Sequence, residues 1–183
     1  MIRHGKITLR AREERDVDVL HRELYEDVEN RARSDHRPWR PLRAGPDSPY
    51  AVQQGDETPV FSIEESASGD LAGVAALWGV DTHSRSGHLG IGLRPSFRGR
   101  GLGTDTVRAL CVYGFTVRGL HRLQVDTLAD NAAMIAAARH CGFVVEGTLR
   151  KALWVYGRHL DEVVLGLLAE EWAGVQDAEG SGV

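Results

Sequence analysis

Arg98-Gly99-Arg100-Gly101-Leu102-Gly103 is the stretch of this 183-residue chain whose residue types and spacing come nearest to a binding site. It lies between an apolar strand pattern, His88–Leu93, and an amphipathic helix pattern that opens at Thr104. Backbone N–H groups in such a turn can converge on an anion, and the helix N-terminus adds positive partial charge. Absent Cβ atoms let a diphosphate approach the main chain, while Arg94, Arg98 and Arg100 supply charge-assisted donors. An isolated match of this kind is also what a tight strand-to-helix turn looks like. A nucleoside-triphosphate loop is disfavoured because GxxxxGK[ST] is absent. A dinucleotide site is the other reading, since Gly99-x-Gly101-x-Gly103 precedes a helix and Asp126 follows about twenty residues on. Against it, the third Gly comes one position early and no second βαβαβ half follows.

The surrounding pattern must hold this loop. Ile7–Arg10 alternates as a first strand, and Asp16 can cap a helix through Val28 with Val17, Leu20 and Leu24 on its apolar face. An irregular stretch, Asn30–Pro59, has four of the six prolines (Pro38, Pro41, Pro46 and Pro49) within twelve of its residues and reads as a long loop with one short helix. Val60–Glu64, Leu71–Val80 and His88–Leu93 form an antiparallel meander with short turns. A helix from Thr104 to about Arg118 leads to a strand at Leu123–Thr127, which a right-handed crossover makes parallel to His88–Leu93. Asp130-Asn131 opens a second helix ending at Cys141-Gly142, and strands at Phe143–Glu146, Leu149–Tyr156 and Val163–Leu168 follow. The expected fold is α/β (α+β): one domain over residues 1–172, then a disordered tail over 173–183.

A net charge of −4 gives no basic footprint for nucleic acid. Apolar runs are too short to span a membrane, and the N-terminus has no secretory h-region. Cys111 and Cys141 form no CxxC pair and sit in helical apolar patterns, as reduced cytoplasmic core thiols would. The scattered histidines offer no metal-ligand spacing, so no metal is expected.

Arg98-x-x-Gly101-x-Gly103 resembles the acetyl-CoA signature of the GNAT N-acetyltransferase superfamily, [QR]-x-x-G-x-[GA]. Ile91-Gly92-Leu93-Arg94-Pro95 resembles the family strand before it, and Asn131 the Asn that begins the next helix. Gly142-Phe143 through Leu149-Arg150, Gly157 through Asp161, and Glu170-Glu171-Trp172 are similar to later segments of the RimJ/RimL branch, which acetylates ribosomal-protein N-termini.

The resemblance implies a central mixed, mostly antiparallel, splayed sheet of about seven strands with helices on both faces. It implies acetyl-CoA as co-substrate, bound by Ile91, Gly92, Leu93, Arg98, Gly99, Arg100, Gly101, Leu102, Gly103, Thr104 and Asn131. The acetyl group passes by direct attack to a primary amine, a peptide N-terminus or a small molecule, and a homodimer is compatible with the branch. Pantetheine would lie in the splay, its amides pairing with Ile91 and Leu93.

The general acid is missing where the family offers one: Ala138 replaces a Tyr and Met134 a Ser. Water, Tyr156 or Cys141 can take that part. As base, His88 begins the strand beside the expected thioester, and an imidazole suits proton removal from an amine near neutral pH; a surface His at a turn is the plain alternative, and Glu64 a weaker candidate. The missing acid also motivates a catalytically silent CoA-binding protein. Finally, Arg31, Arg33, Arg37, Arg40 and Arg43 crowd one stretch with His36 and Trp39. They can steer an acidic acceptor or simply pair with Glu23, Glu26, Asp27 and Glu29.

Overall fold

The structure is a computed structural model that describes residues 1–35, 37–52 and 58–172. The expected tail, 173–183, lies outside the described residues, as does His36.

One sheet organises the chain. Its strands are β1 (Ile2–His4), β2 (Ile7–Ala11), β3 (Val60–Glu65), β4 (Leu71–Asp81), β5 (Ser86–Leu93), β6 (Arg122–Leu128), β7 (Val144–Val155) and β8 (Arg158–Leu168). The order is β1-β2-β3-β4-β5-β6-β8-β7, antiparallel throughout except between β5 and β6. Eight strands replace the expected seven. Strand β1 is too short to show an alternating pattern, and the two segments foreseen at Phe143–Glu146 and Leu149–Tyr156 are one strand whose ladder shifts register between Val145 and Gly147 and between Leu149 and Leu153.

Helices cover both faces. The first, α1 (Glu14–Leu20), starts earlier than expected because Glu13 is the cap and Asp16 completes a capping box from the third helical position. It runs into a wider turn, His21–Tyr25, and stops; Asp27 then caps α2 (Val28–Ser34) by accepting from the Asn30 amide at 3.1 Å. Leu20, Leu24 and Tyr25 pack with Tyr50, Leu42, Leu71 and Val74 on this face. His21 is fully buried and pins the proline-rich loop: Ser48 Oγ lies 2.8 Å from Nδ1, and Nε2 donates to the Leu42 carbonyl at 3.1 Å. Trp39 Nε1 donates to the Tyr25 carbonyl at 3.0 Å and Tyr25 Oη to that of Arg40 at 2.8 Å.

The opposite face carries α3 (Leu102–Cys111, continued by a wider turn to Val117) and α4 (Ala132–His140). Leu102, Val107, Leu110, Cys111, Ala138 and Cys141 are buried there against Leu123, Val125 and Leu165. Burial pushes the Cys111 thiol well up, with Cys141 adding to the effect, so it stays protonated core filling.

A largely buried charge cluster ties α1 to strands β2 and β3. Arg10 donates to both oxygens of Asp16 (2.7 and 2.9 Å) and to Glu64 (2.9 Å), and Ser62 Oγ adds a bond to Asp16 at 2.7 Å.

Candidate active site

Strands β5 and β6 pair at only three positions: Ser86 with Arg122, Gly87 with Leu123 and His88 with Gln124. Beyond His88, β5 keeps to β4 and β6 to β8, so the centre of the sheet opens into a gap. The Arg94 amide donates to the Ala72 carbonyl on β4 at 2.9 Å. Successive residues of a strand turn their peptide groups to opposite edges. Gly92 and Gly90 therefore face β4 as well, and Leu89, Ile91 and Leu93 present N–H and C=O to the gap. Gly92 thus has no main-chain group to offer there. It serves packing instead, since a Cβ would come within 3.2 Å of Val74 Cγ2 and 3.6 Å of Leu24 Cδ1.

The gap leads to the glycine loop. Gly99 (φ 72°) and Gly101 (φ 84°) hold left-handed conformations, and Gly101 is the residue from which α3 springs, with no side-chain cap. The first-turn amides of α3 have no acceptor within the helix. Added Cβ atoms would meet nothing within 4 Å at Gly99, only Lys6 Nζ (3.7 Å) at Gly101 and only Leu93 Cδ1 (3.9 Å) at Gly103. An uncapped, cation-rimmed helix start with open space at its glycines is what a phosphate group fits.

The arginines divide the work. Arg94 is taken by Glu23, with bonds of 2.9 and 2.7 Å that hold the Glu23 carboxyl below its usual range, so it is a brace and not an anion donor. Arg100 pairs with Glu65 and lies over Phe97. Arg98 is exposed and donates to the Leu93 carbonyl (3.0 Å) and to Asn30 Oδ1 (2.9 Å), bridging loop, gap and α2. Leu102 is fully buried and offers only its amide. Lys6, which nothing in the sequence pattern marked, reaches the loop from the β1–β2 turn and donates to the Arg100 carbonyl at 3.2 Å. Across the gap, Asn131 caps α4 by accepting from the Met134 amide (3.3 Å) and donates to Thr127 Oγ1 (2.9 Å). One amide hydrogen and one lone pair remain for a ligand.

The vertex of the gap holds the titratable pair. His88 Nδ1 lies 2.6 Å from Asp126 Oδ2, and Gln124 Nε2 donates to Asp126 Oδ1 at 2.7 Å. Trp78 stacks on the imidazole at a centroid distance of 4.3 Å. Asp126 figured in the sequence only as a candidate ribose partner; its place beside His88 depends on the β5–β6 register, which no local pattern reveals. The remaining candidates are dispersed. Glu64 is bonded to Arg10. Cys141 is fully buried, its Sγ turned to the Thr104 carbonyl. Tyr156 sits at the tip of the β7–β8 hairpin, 64% exposed, in a shallow cleft with Glu29, Arg33, Val155 and Arg158. Gly166 of β8 is level with Gln124, and at roughly 3.3 Å per residue the hairpin tip stands about 30 Å along the strand from it. The structure therefore does not bring Tyr156 to His88, and a general-acid role finds no support in its position.

Three of the crowded arginines are neutralised, by partners other than those expected. Arg31 and Arg37 both pair with Asp35, and Arg33 pairs with Asp130 at 2.6 Å. Among the described residues no group of acidic, His and Cys side chains could hold a metal ion, and no helix is long and apolar enough to cross a membrane.

Residues 6–144 match the family model described as the acetyltransferase (GNAT) domain. Over 106 residues the chain is 33% identical to a Bacillus subtilis protein provisionally named ribosomal N-acetyltransferase YdaF, a stretch that is 58% of each chain. It is 27% identical over 99 residues to the spermidine N(1)-acetyltransferase of Vibrio cholerae, 54% of this chain and 57% of that one. It thus spans a little over half the length of these two relatives. With the uncharacterised N-acetyltransferase p20 of Bacillus licheniformis it shares 26% identity over 172 residues, covering 92% and 96% of the two chains. In fold it resembles the crystal structure of spermidine N-acetyltransferase from Vibrio cholerae in complex with CoA and spermine, with a TM-score of 0.76 at 20% identity over 92% of this chain and 98% of that one.

Proposed function

The chain belongs to the GNAT acetyltransferase family, and from that premise we propose that it is an acyltransferase that moves the acetyl group of acetyl-CoA to a protein N-terminal α-amine, as the RimJ/RimL branch does. The observation that carries this reading is the interrupted β5–β6 ladder, which opens from the His88–Asp126 pair toward the uncapped glycine loop.

In this reading the diphosphate rests on the amides of Gly99–Thr104, with Arg98, Arg100 and Lys6 at the rim. The pantetheine amides bond to Ile91 and Leu93, whose peptide groups face the gap, and to the spare capacity of Asn131. Binding along the gap fixes the thioester near its vertex, and this positioning is the larger share of the catalysis. His88 Nε2 takes one proton from the acceptor ammonium, directly or through water. The freed lone pair forms the C–N bond at the thioester carbon. The C–S bond then breaks, sulfur leaves as thiolate and receives the second proton from nitrogen, and the imidazolium returns its proton to water. A thiol has a pKa near 8.5, so thiolate departure needs no dedicated acid. Ala138 and Met134 are tolerable on that account.

An α-amine, with pKa about 7.7–8.0, needs less help from a base than a lysine or polyamine nitrogen near 10.4. On the acceptor side of the fold Glu23, Asp35 and Asp130 are each engaged by arginine, while Glu29 lines the cleft beside Arg33 and Tyr156. A polyamine carries several ammonium groups that call for unpaired carboxylates, so the arginine-paired acids support the α-amine and Glu29 is the residue through which a polyamine would compete. The Vibrio cholerae relative makes spermidine the comparison to run. The test is a thiol-release assay with acetyl-CoA against N-terminal peptides, spermidine and aminoglycosides. Peptides should be acetylated with the highest kcat/KM. A preference for spermidine replaces the acceptor assignment, and CoA binding without turnover on any amine refutes the enzymatic role.

A further inference from the structure

A line of hydrogen bonds crosses the sheet from His88 to its outer strand. Asp126 binds His88 Nδ1 with one oxygen (2.6 Å) and accepts from Gln124 Nε2 with the other (2.7 Å). Gln124 Oε1 in turn accepts from Arg122 Nη2 at 3.2 Å. Arg122 is clamped by Glu146 of β7 through both terminal nitrogens, one bond at 2.7 Å. This clamp raises the Arg122 pKa and lowers that of Glu146.

We propose that Arg122, Gln124 and Asp126 are positioning residues that pass a hydrogen-bond direction along this line, holding His88 in the tautomer with Nδ1 protonated and Nε2 bare toward the acceptor amine. The proposal rests on His88 being the base.

Each member has one role left to it. A guanidinium only donates. Arg122 therefore fixes which end of the Gln124 amide faces it: the carbonyl, leaving the NH₂ group to face Asp126. Rotating that amide by half a turn would set NH₂ against guanidinium and carbonyl against carboxylate. An ionised carboxylate only accepts, so Asp126 requires a hydrogen on Nδ1. A neutral imidazole holding that hydrogen has its lone pair on Nε2, for which the described residues provide no hydrogen-bond partner. The ring plane is set by the Trp78 stack, and Gly79 leaves the ring room: a Cβ there would lie 3.2 Å from Cδ2 and 3.8 Å from Nε2. Among the described residues the charged groups along this line are Asp126 and Arg122 of β6 and Glu146 of β7, with Glu171 acting on Arg122. From β4 the ring meets Trp78 and Gly79, which carry no charge.

The logic of the line makes a reversal possible. In Asp126→Asn the Gln124 NH₂ still demands an oxygen, so the new amide must turn its own NH₂ to His88. That stabilises the opposite tautomer, with the hydrogen on Nε2 and the base blocked. Adding Gln124→Glu presents an acceptor to the new amide, turns its oxygen back to His88 and restores the original tautomer. Nitrogen-15 NMR of histidine-labelled protein reads the tautomer without reference to activity, with His88→Ala identifying the resonances. The parent should show hydrogen on Nδ1, Asp126→Asn on Nε2, and the Asp126→Asn/Gln124→Glu variant on Nδ1 again.

Acetyl transfer should follow, falling on the order of 100-fold in Asp126→Asn, the lower end of what a general base supplies. It should recover in part in the double variant, with CoA affinity steady throughout. Asp126→Asn should add nothing to His88→Ala. Hydrogen on Nε2 in the parent, or a single variant that keeps Nδ1 protonated, overturns the proposal. An undiminished rate in His88→Ala instead removes the base assignment itself, whatever the tautomers show.

Discussion

Gly103→Ala should make the empty protein more stable and its CoA complex less so. Gly103 is the second residue of α3, its φ is not positive, and a Cβ would sit 3.9 Å from Leu93 Cδ1, an ordinary contact. The folded chain accepts the methyl group, while the unfolded chain loses freedom, a gain of about 0.4–1 kcal/mol. At roughly 2–4 °C per kcal/mol for a domain of this size, Tm should rise by about 1–4 °C. The same methyl enters the space where the loop is proposed to hold the diphosphate. A ten- to hundredfold loss of affinity, about 1.4–2.7 kcal/mol, removes that much ligand stabilisation at a fixed CoA concentration. The Tm difference from the parent therefore changes sign between empty and CoA-saturated protein. Differential scanning calorimetry with and without CoA, beside isothermal titration, reads both halves. A variant that keeps the parent's full CoA-induced shift would show that the diphosphate does not rest on this turn. Gly101→Ala is the control: at φ 84° it forces a side chain into the left-handed region and costs roughly 1–2 kcal/mol in the empty protein as well.

His88→Ala should lower kcat/KM while leaving CoA affinity in place, read by thiol release and titration calorimetry; an unchanged rate would return attention to a water chain. Lys6→Gln should weaken CoA binding a few-fold, an effect that fades as salt rises within the Debye regime, measured by titration at two ionic strengths. Burial raises the Asp16 pKa, but bonds from Arg10, the Glu13 amide and Ser62 together outweigh it and bring the value to about 2. A depressed carboxylate stabilises the fold above its unfolded pKa, so this contribution is intact at pH 7 and lost as pH falls from about 4 to 2. Asp16→Asn should accordingly lower stability at pH 7 by about 3–5 kcal/mol, since it leaves the Arg10 charge buried and underpaired, and should flatten the acid limb of a denaturation series.

The part of this molecule written in short-range pattern was legible without coordinates. The meander, the crossover into β6 and the glycine turn all rest on neighbours within a few residues, and so did the Asn131 cap. What the pattern lacked was register. His88 and Asp126 are 38 residues apart and meet only because three parallel pairs set β6 against β5. Lys6 comes to the loop from 94 residues away in sequence, through a turn too short to carry a period. The arginine stretch was only half legible. Asp35, four residues from Arg31 and two from Arg37, is a local answer to the charge crowding, whereas Asp130 is brought to Arg33 by the fold from 97 residues away. Tyr156 was attractive by residue type alone, and the length of β8 carries it away from the site.

The three-pair seam between β5 and β6 has a further consequence. Everything before Arg94 builds one antiparallel block of five strands, and everything after His121 builds another of three; α3 is the covalent strap between them. Main-chain bonding within the sheet thus fixes the width of the gap only at its closed end. Farther out, the width is set by how α3 and α4 are stacked beneath it, through Val107, Ala138 and the Cys141 thiol turned to Thr104. With the thioester in this gap, as proposed, its aperture is governed by core volume on the far side of the sheet, and a methylene added or removed there should retune acyl-chain selectivity without touching any residue that meets the acyl group.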